Sequence, residues 1–232
     1  FPLRDGAPRG GPSAGLPPTA FVNFIQNHDQ IGNRALGERL TTLAEPKALR
    51  AATALILLAP QIPMVFMGEE VGSRSPFLYF TDHNEDLAQA VREGRRSEFS
   101  HFPAFADPDA RAAIPDPNAA STFEASRPEP GPDAVDWRRL YGDLLQIRAR
   151  DLVPRLRGAH SHGARALGPA AVKASWTLGD GARWTLALNL GSEAVEVRDA
   201  PSRVAAATIG EGLDGARRLR PYSLVAWLEP KR

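Results

Sequence analysis

Cysteine is missing from the 232 residues. That excludes a disulfide framework and any thiolate-ligated metal site, and it fits a cytoplasmic protein. Neither sign of charge is in excess: 28 Lys and Arg stand against 27 Asp and Glu, a formal net charge of +1. The chain therefore offers no strong field to nucleic acid or to a membrane surface. Long apolar runs are also missing. The longest, ALILLAPQIPMVFMG, is broken by Pro60 and Pro63 and is too short to span a bilayer. No signal-peptide pattern is visible. A starting Met is absent as well. The opening FPLRDGAPRGGPSAGLPP reads as the middle of a loop, so we expect a piece of a longer protein.

What is present is the material of a globular protein. Hydrophobic residues make up 43% of the chain, and mean hydropathy is -0.29. At this length one or two domains with a real core are expected. Residues 1 to 18 lack periodicity and read as loop. Ala20 to Gln26, with Phe21, Val22, Phe24 and Ile25, predicts a buried strand. EPKALRAATALILLA, residues 45 to 59, predicts a helix with Pro46 in its first turn. Pro63 to Met67 predicts a second buried strand, ending in Gly68-Glu69-Glu70. Strand, helix, strand is a βαβ unit, and near-continuous apolar strands suit parallel neighbours covered on both faces. Ligands in such folds sit at the carboxyl ends of the strands, where Asn27-His28-Asp29 and Glu69-Glu70 both fall.

Further along, residues 84 to 98 predict a surface helix capped by Asn84 with Leu87 and Val91 turned inward. Residues 103 to 134, rich in Pro, Asp and Ala, read as irregular. VDWRRLYGDLLQIRAR predicts an amphipathic helix, with Trp137, Leu140, Tyr141, Leu144 and Leu145 at helical spacing. From about residue 155 the texture changes to short strands. VKASWTL and RWTLALNL flank a Gly-Asp-Gly turn and predict a hairpin. AVEVR, VAAATI and YSLVAWLE continue the pattern as a small antiparallel β-domain.

The sharpest chemical signal is Asn27-His28-Asp29. Asp29 could face a sugar hydroxyl or a developing positive charge, with His28 donating a hydrogen bond beside it. An Asx-type turn that satisfies the strand end explains the same residues. Glu69 and Glu70 could line the same pocket, or simply favour a helix N-terminus. On spacing alone, Asp29 with Glu69 or Glu70 could form the two-carboxylate pair of a retaining glycosidase, which sits about 5–5.5 Å apart. Phe77, Tyr79 and Phe80, followed by Asp82 and His83, could stack on sugar rings, although anchoring the loop to the core is the commoner use. The five histidines show no metal-ligand spacing, and no P-loop or dinucleotide fingerprint is found.

FVNFIQNHDQIGNRALGERL resembles the fourth sequence region of the α-amylase-type glycoside hydrolases, and within them the malto-oligosyltrehalose trehalohydrolases. PMVFMGEE, PFLYFTDHNEDLAQAVREGRRSEF, PDPNAASTF and LRPYSLVAWL agree with that reading. The resemblance implies an α/β fold: the C-terminal part of a (β/α)8 TIM barrel, strands seven and eight with their helices over residues 1–152, then a small antiparallel β-sandwich domain over 153–232. It implies hydrolysis of the α-1,4 bond next to the terminal trehalose of malto-oligosyl trehalose, with retention. Asp29 matches the carboxylate that stabilises the transition state. Asn27, His28, Gln30, Asn33 and Arg34 would bind substrate, and Glu69 and Glu70 would line the pocket. The nucleophile and acid/base would come from strands upstream, which overturns the Asp29–Glu pair and leaves this chain inactive alone. Its partners would be the malto-oligosyl trehalose or maltodextrin substrate and the N-terminal part of the same enzyme. No metal or organic cofactor is implied. The segment EASRPEPGPDAV is longer and richer in Pro than the family pattern. A maltodextrin-binding module without catalysis, or one half of a split enzyme, remain alternatives.

Overall fold

The computed structural model describes residues 11, 13, 15–200 and 205–231. Most of the segment expected to be an N-terminal loop, and Val204 of VAAATI, therefore lie outside the described residues. The chain divides into two compact units. One comprises Phe1–Asn23, Arg50–Pro63 and Asp143–Arg232; the other comprises Phe24–Leu49 and Met64–Gly142.

In the first unit, strands β1 (Val22–Asn23) and β2 (Ile62–Pro63) pair in parallel, Val22 opposite Ile62 and Asn23 opposite Pro63. The connecting chain holds a long helix, so the βαβ order and direction are as expected. The strands are not. Each is two residues long, and Val22 and Ile62 are 54% and 46% exposed. The apolar runs predicted longer strands covered on both faces. A strand needs ladder partners as well as apolar side chains, and among the described residues this sheet has two strands.

The connecting helix, α3 in chain order (Pro46–Leu58), opens on its proline, and Ala51, Ala54, Leu57 and Leu58 are buried. Its C-terminal carbonyls would be orphaned without a partner. Buried Arg148 supplies one: Nη1 donates to Leu57 O at 3.0 Å and Ala59 O at 2.6 Å, and Nη2 to Gln61 O at 2.7 Å. A cation at a helix C-terminus also suits the macrodipole. The Trp184 indole N–H donates to Leu58 O at 2.8 Å.

The rest of this unit is antiparallel. Strands β3 (His160–Gly168), β4 (Ala171–Thr177), β5 (Arg183–Asn189), β7 (Ala207–Ile209) and β9 (Ser223–Glu229) form one sheet in the order β3-β4-β5-β9-β7. Strands β6 (Val195–Glu196) and β8 (Arg218–Leu219) form a second, two-stranded sheet. The predicted hairpin is β4–β5, with Trp176 opposite Trp184. Val197, Leu219, Val225 and Trp227 belong to a common core cluster. Strand β3 had no forecast: HSHGARALG is poor in strand formers and is mostly exposed at the sheet edge.

The second unit holds helices α1 (His28–Gly32), α2 (Leu40–Leu43), α4 (Glu85–Phe99), α5 (Pro108–Ala112) and α6 (Ala120–Ala125). Helix α7 (Ala134–Ile147) starts here and buries Trp137, Leu140 and Tyr141 as its spacing predicts. Asn84 caps α4, accepting from Leu87 N at 3.1 Å. Leu87, however, faces out; Ala88, Arg95 and Phe99 face in. Arg95 wins that face because its Nη2 donates to Gly32 O and Arg34 O at 3.0 and 3.2 Å, and its guanidinium lies 4.6 Å from the Tyr79 ring centroid. The stretch read as irregular holds α5 and α6. Asp107 as cap and Pro108 at the first position mark α5. Among the described residues no helix is long and apolar enough to cross a membrane.

Candidate active site

Asn27 is the N-cap of α1, its side-chain oxygen accepting from Gln30 N at 3.0 Å. The hydrogen bond that the turn reading of Asn27 requires is thus present. Capping frees the next two side chains to point outward. His28 Nε2 lies 3.3 Å from Asp29 Oδ1, and the two side chains are 68% and 70% exposed. Gln30 is exposed too, and Asn33 ends the helix with its backbone N–H on Asp29 O and Ile31 O. Arg34 is clamped by Glu38, Nε to Oε2 at 3.1 Å and Nη2 to Oε1 at 3.3 Å.

Gln26, just before this turn, is buried; its oxygen accepts from Leu40 N at 3.2 Å. Its amide also stands beside Glu69. The turn after β1 and the loop after β2 thus meet through Gln26 and Glu69. Glu69 is 6% exposed, with Oε2 accepting from Phe66 N at 3.3 Å and from the Tyr141 hydroxyl at 3.2 Å. Burial pushes its carboxyl up to about 7, against the opposing pull of the Gln26, Phe66 and Tyr141 hydrogen bonds and of the Arg39 charge. Glu70 is exposed and accepts from Gly68 N at 3.1 Å.

Sequence reasoning passed over Arg39. It is 1% exposed, and its Nε and Nη1 donate to Ser75 O at 2.6 Å and Met67 O at 2.8 Å. The Phe66 ring lies 5.2 Å from its guanidinium. Burial lowers its pKa, with Glu69 and Glu70 acting to raise it. Its position after Gly37 in the run Gly-Glu-Arg-Leu gave the only hint. Gly72 closes the same loop at φ +57°, and a Cβ there would clash with the Trp137 indole.

The aromatics after this loop anchor it. Phe66 and Phe77, Phe77 and Phe80, and Phe80 and Phe123 meet edge to face at 5.1, 5.7 and 5.3 Å. Asn118 holds His83 N at 2.8 Å and the Thr81 hydroxyl at 3.1 Å. Gly11-Pro12-Ser13-Ala14-Gly15 also spells G-x-S-x-G. Pro12 and Ala14 of that motif lie outside the described residues.

Two curated proteins are similar to this chain. A curated malto-oligosyltrehalose trehalohydrolase of Deinococcus radiodurans is 45% identical over 154 residues, 62% of this chain and 24% of the relative. One from Saccharolobus solfataricus is 53% identical over 135 residues, 55% of this chain and 21% of the relative. This chain is related to the malto-oligosyltrehalose trehalohydrolases. It spans about a quarter of the length of these relatives. Residues 159–226 match a family model described as a domain of unknown function, DUF3459. A crystal structure from Salmonella typhimurium, described as a candidate alpha amylase, superposes with a TM-score of 0.82 at 37% identity, over 97% of this chain and 38% of that one. An isomaltulose synthase from Protaminobacter rubrum, 13% identical with a TM-score of 0.53 over 89% of this chain and 42% of that one, shares the fold alone.

Proposed function

We propose that this chain is the part of a trehalose-releasing glycoside hydrolase that carries the transition-state-stabilising carboxylate, Asp29. The observation that carries the reading is an exposed Asp29, 3.3 Å from His28 and set on a capped turn a few residues after parallel strand β1, in a chain 45% and 53% identical to two trehalohydrolases over 154 and 135 residues. In this reading β1 and β2 are barrel strands seven and eight, residues 1–152 belong to a (β/α)8 barrel, and residues 153–232 form its C-terminal β-domain. The substrate is malto-oligosyl trehalose, and the bond cleaved is the α-1,4 link next to the trehalose unit.

The residues divide their work. Asp29 holds ring hydroxyls and stabilises the oxocarbenium-like transition state. His28 donates a hydrogen bond to the same sugar. Gln30, Asn33 and Arg34 contact the substrate beyond it, and Glu70 faces the pocket. Glu69, being buried, serves as a wall that sets the loop rather than as a ligand. The nucleophile and the acid/base come from outside these 232 residues, so this chain alone binds without turning over.

A chimera tests this. Residues 20–232 replace the matching stretch of the Deinococcus radiodurans enzyme, and trehalose release is assayed. The chimera should be active, and Asp29→Asn in it should lower kcat by about 10²–10³-fold. Equal kcat with and without Asp29→Asn would refute the role. Trehalose released by the unassisted chain would refute the missing carboxylates.

A further inference from the structure

Beyond α1 lies a cleft of about 250 Å³ with two unlike walls, Phe99, Phe102 and Phe105 on one side and Asn33, Arg34 and Glu38 on the other. The rings form a shelf. Phe99 is buried and lies 5.7 Å from Phe102 and 5.6 Å from Phe105, centroid to centroid. Phe102 touches only the edge of this shelf through Phe99 and is 54% exposed, which leaves much of its ring open to a ligand. The polar wall carries opposite charges side by side. Glu38 grips Arg34 through Nε and Nη2, which leaves Nη1 for another acceptor. Burial acts to raise the Glu38 carboxyl, but the Arg34 hydrogen bond and charge, with backbone N–H groups, hold it below its ordinary value. Glu38 therefore stays ionised at neutral pH.

That wall selects by chemistry. Glu38 repels an anion, and Arg34 repels a cation. A neutral polyol satisfies both, since each hydroxyl accepts from a guanidinium and donates to a carboxylate. A flat apolar face on the same ligand would cover Phe102. A pyranose ring has both features. The cleft is smaller than the roughly 300–1,000 Å³ of drug-sized sites, which suits one ring. Helix α1, about 7 Å long for five residues, separates it from His28 and Asp29, within reach of one oligosaccharide.

We propose that the Phe102 shelf and the Arg34–Glu38 pair bind one glucosyl ring of an α-1,4-linked glucan, as a subsite distinct from Asp29. The proposal rests on the functional reading above for the identity of the sugar. Phe102 stacks on the ring face, Arg34 and Glu38 take adjacent hydroxyls, and Asn33 offers its side-chain amide at the rim.

The full chain, labelled for amide spectra, is titrated with maltohexaose. Saturable shifts are expected at residues 33–38 and 99–105. Phe102→Ala should weaken binding about tenfold through lost apolar contact, while Phe102→Trp keeps it. Because Phe102 is exposed, the spectrum of the Ala variant away from the cleft should be unchanged. No shift at these residues up to about 20 mM sugar, or equal affinity for Phe102→Ala and the parent chain, overturns the proposal. Shifts confined to Asn27–Gln30 overturn it and leave the role given to Asp29 standing. Shifts at the cleft without any at Asn27–Asp29 support the subsite and count against the role given to Asp29.

Discussion

Replacing Glu69 by Gln should make the second unit more stable at alkaline pH and leave it unchanged at acid pH. The folded carboxyl titrates at about 7, against an ordinary value of 4.5. Between those values the folded state keeps a proton that the unfolded chain has lost, so stability falls as pH rises. The protonated carboxyl's advantage is fully present below 4.5 and is gone above about 7, where folding must bury the carboxylate. The gap, at about 1.4 kcal/mol per pH unit, sets an upper limit of about 3 kcal/mol. Gln keeps an oxygen that accepts from Phe66 N and the Tyr141 hydroxyl, the two hydrogen bonds of Glu69 Oε2, and carries no charge. Urea unfolding of both proteins, followed by the helical circular-dichroism signal at pH 4.5, 6 and 8, is the assay. The two should coincide at pH 4.5, with the variant ahead by up to about 3 kcal/mol at pH 8. A difference of the same size at every pH would refute the reasoning, because the other titrating groups are common to both chains.

Arg148→Met removes three hydrogen bonds to carbonyls at and just after the end of α3 and should cost about 3 kcal/mol or more in denaturant unfolding; Arg148→Lys, lacking the planar fork, should recover only part of it. Gly72→Ala combines a left-handed backbone with a clash against Trp137 and should cost more than about 2 kcal/mol by the same measurement. Asn27→Ala removes the α1 cap and should speed amide exchange at Gln30 by a factor corresponding to about 1 kcal/mol, with Asn27→Asp restoring protection.

The order of elements was legible where side chains decide structure alone. Pro46 and the Ala-Leu run marked α3, and the period of Trp137, Leu140 and Tyr141 marked the buried face of α7. It was less legible where partners decide. The apolar runs around Val22 and Ile62 predicted long buried strands, but strand length depends on ladder partners that a run of residues does not name. In α4 the hydrophobic pattern favoured Leu87, yet Arg95 took the inner face because Gly32 and Arg34 offer carbonyls there. Strand β3 was silent because an exposed edge strand needs no apolar alternation. At the site, Asn27, His28 and Asp29 were visible as a polar cluster after a strand. Their separation into one cap and two exposed groups depends on backbone geometry. Glu69 and Glu70 are adjacent and identical in type; only burial distinguishes them.

Strand β9 comes last in sequence among the strands of its sheet, yet it lies between β5 and β7. Its register with β5 runs from Ser223 opposite Asn189 to Glu229 opposite Arg183. A ribosome that has not yet passed Ser223 has delivered β3, β4 and β5 as a contiguous meander whose apolar inner edge is open, and β7 with no neighbour to join. During synthesis that edge can accept any extended chain. The placement of β9 therefore makes completion of this sheet a late, all-or-none event, and a stop codon only slightly before Ser223 would remove an interior strand rather than trim the margin.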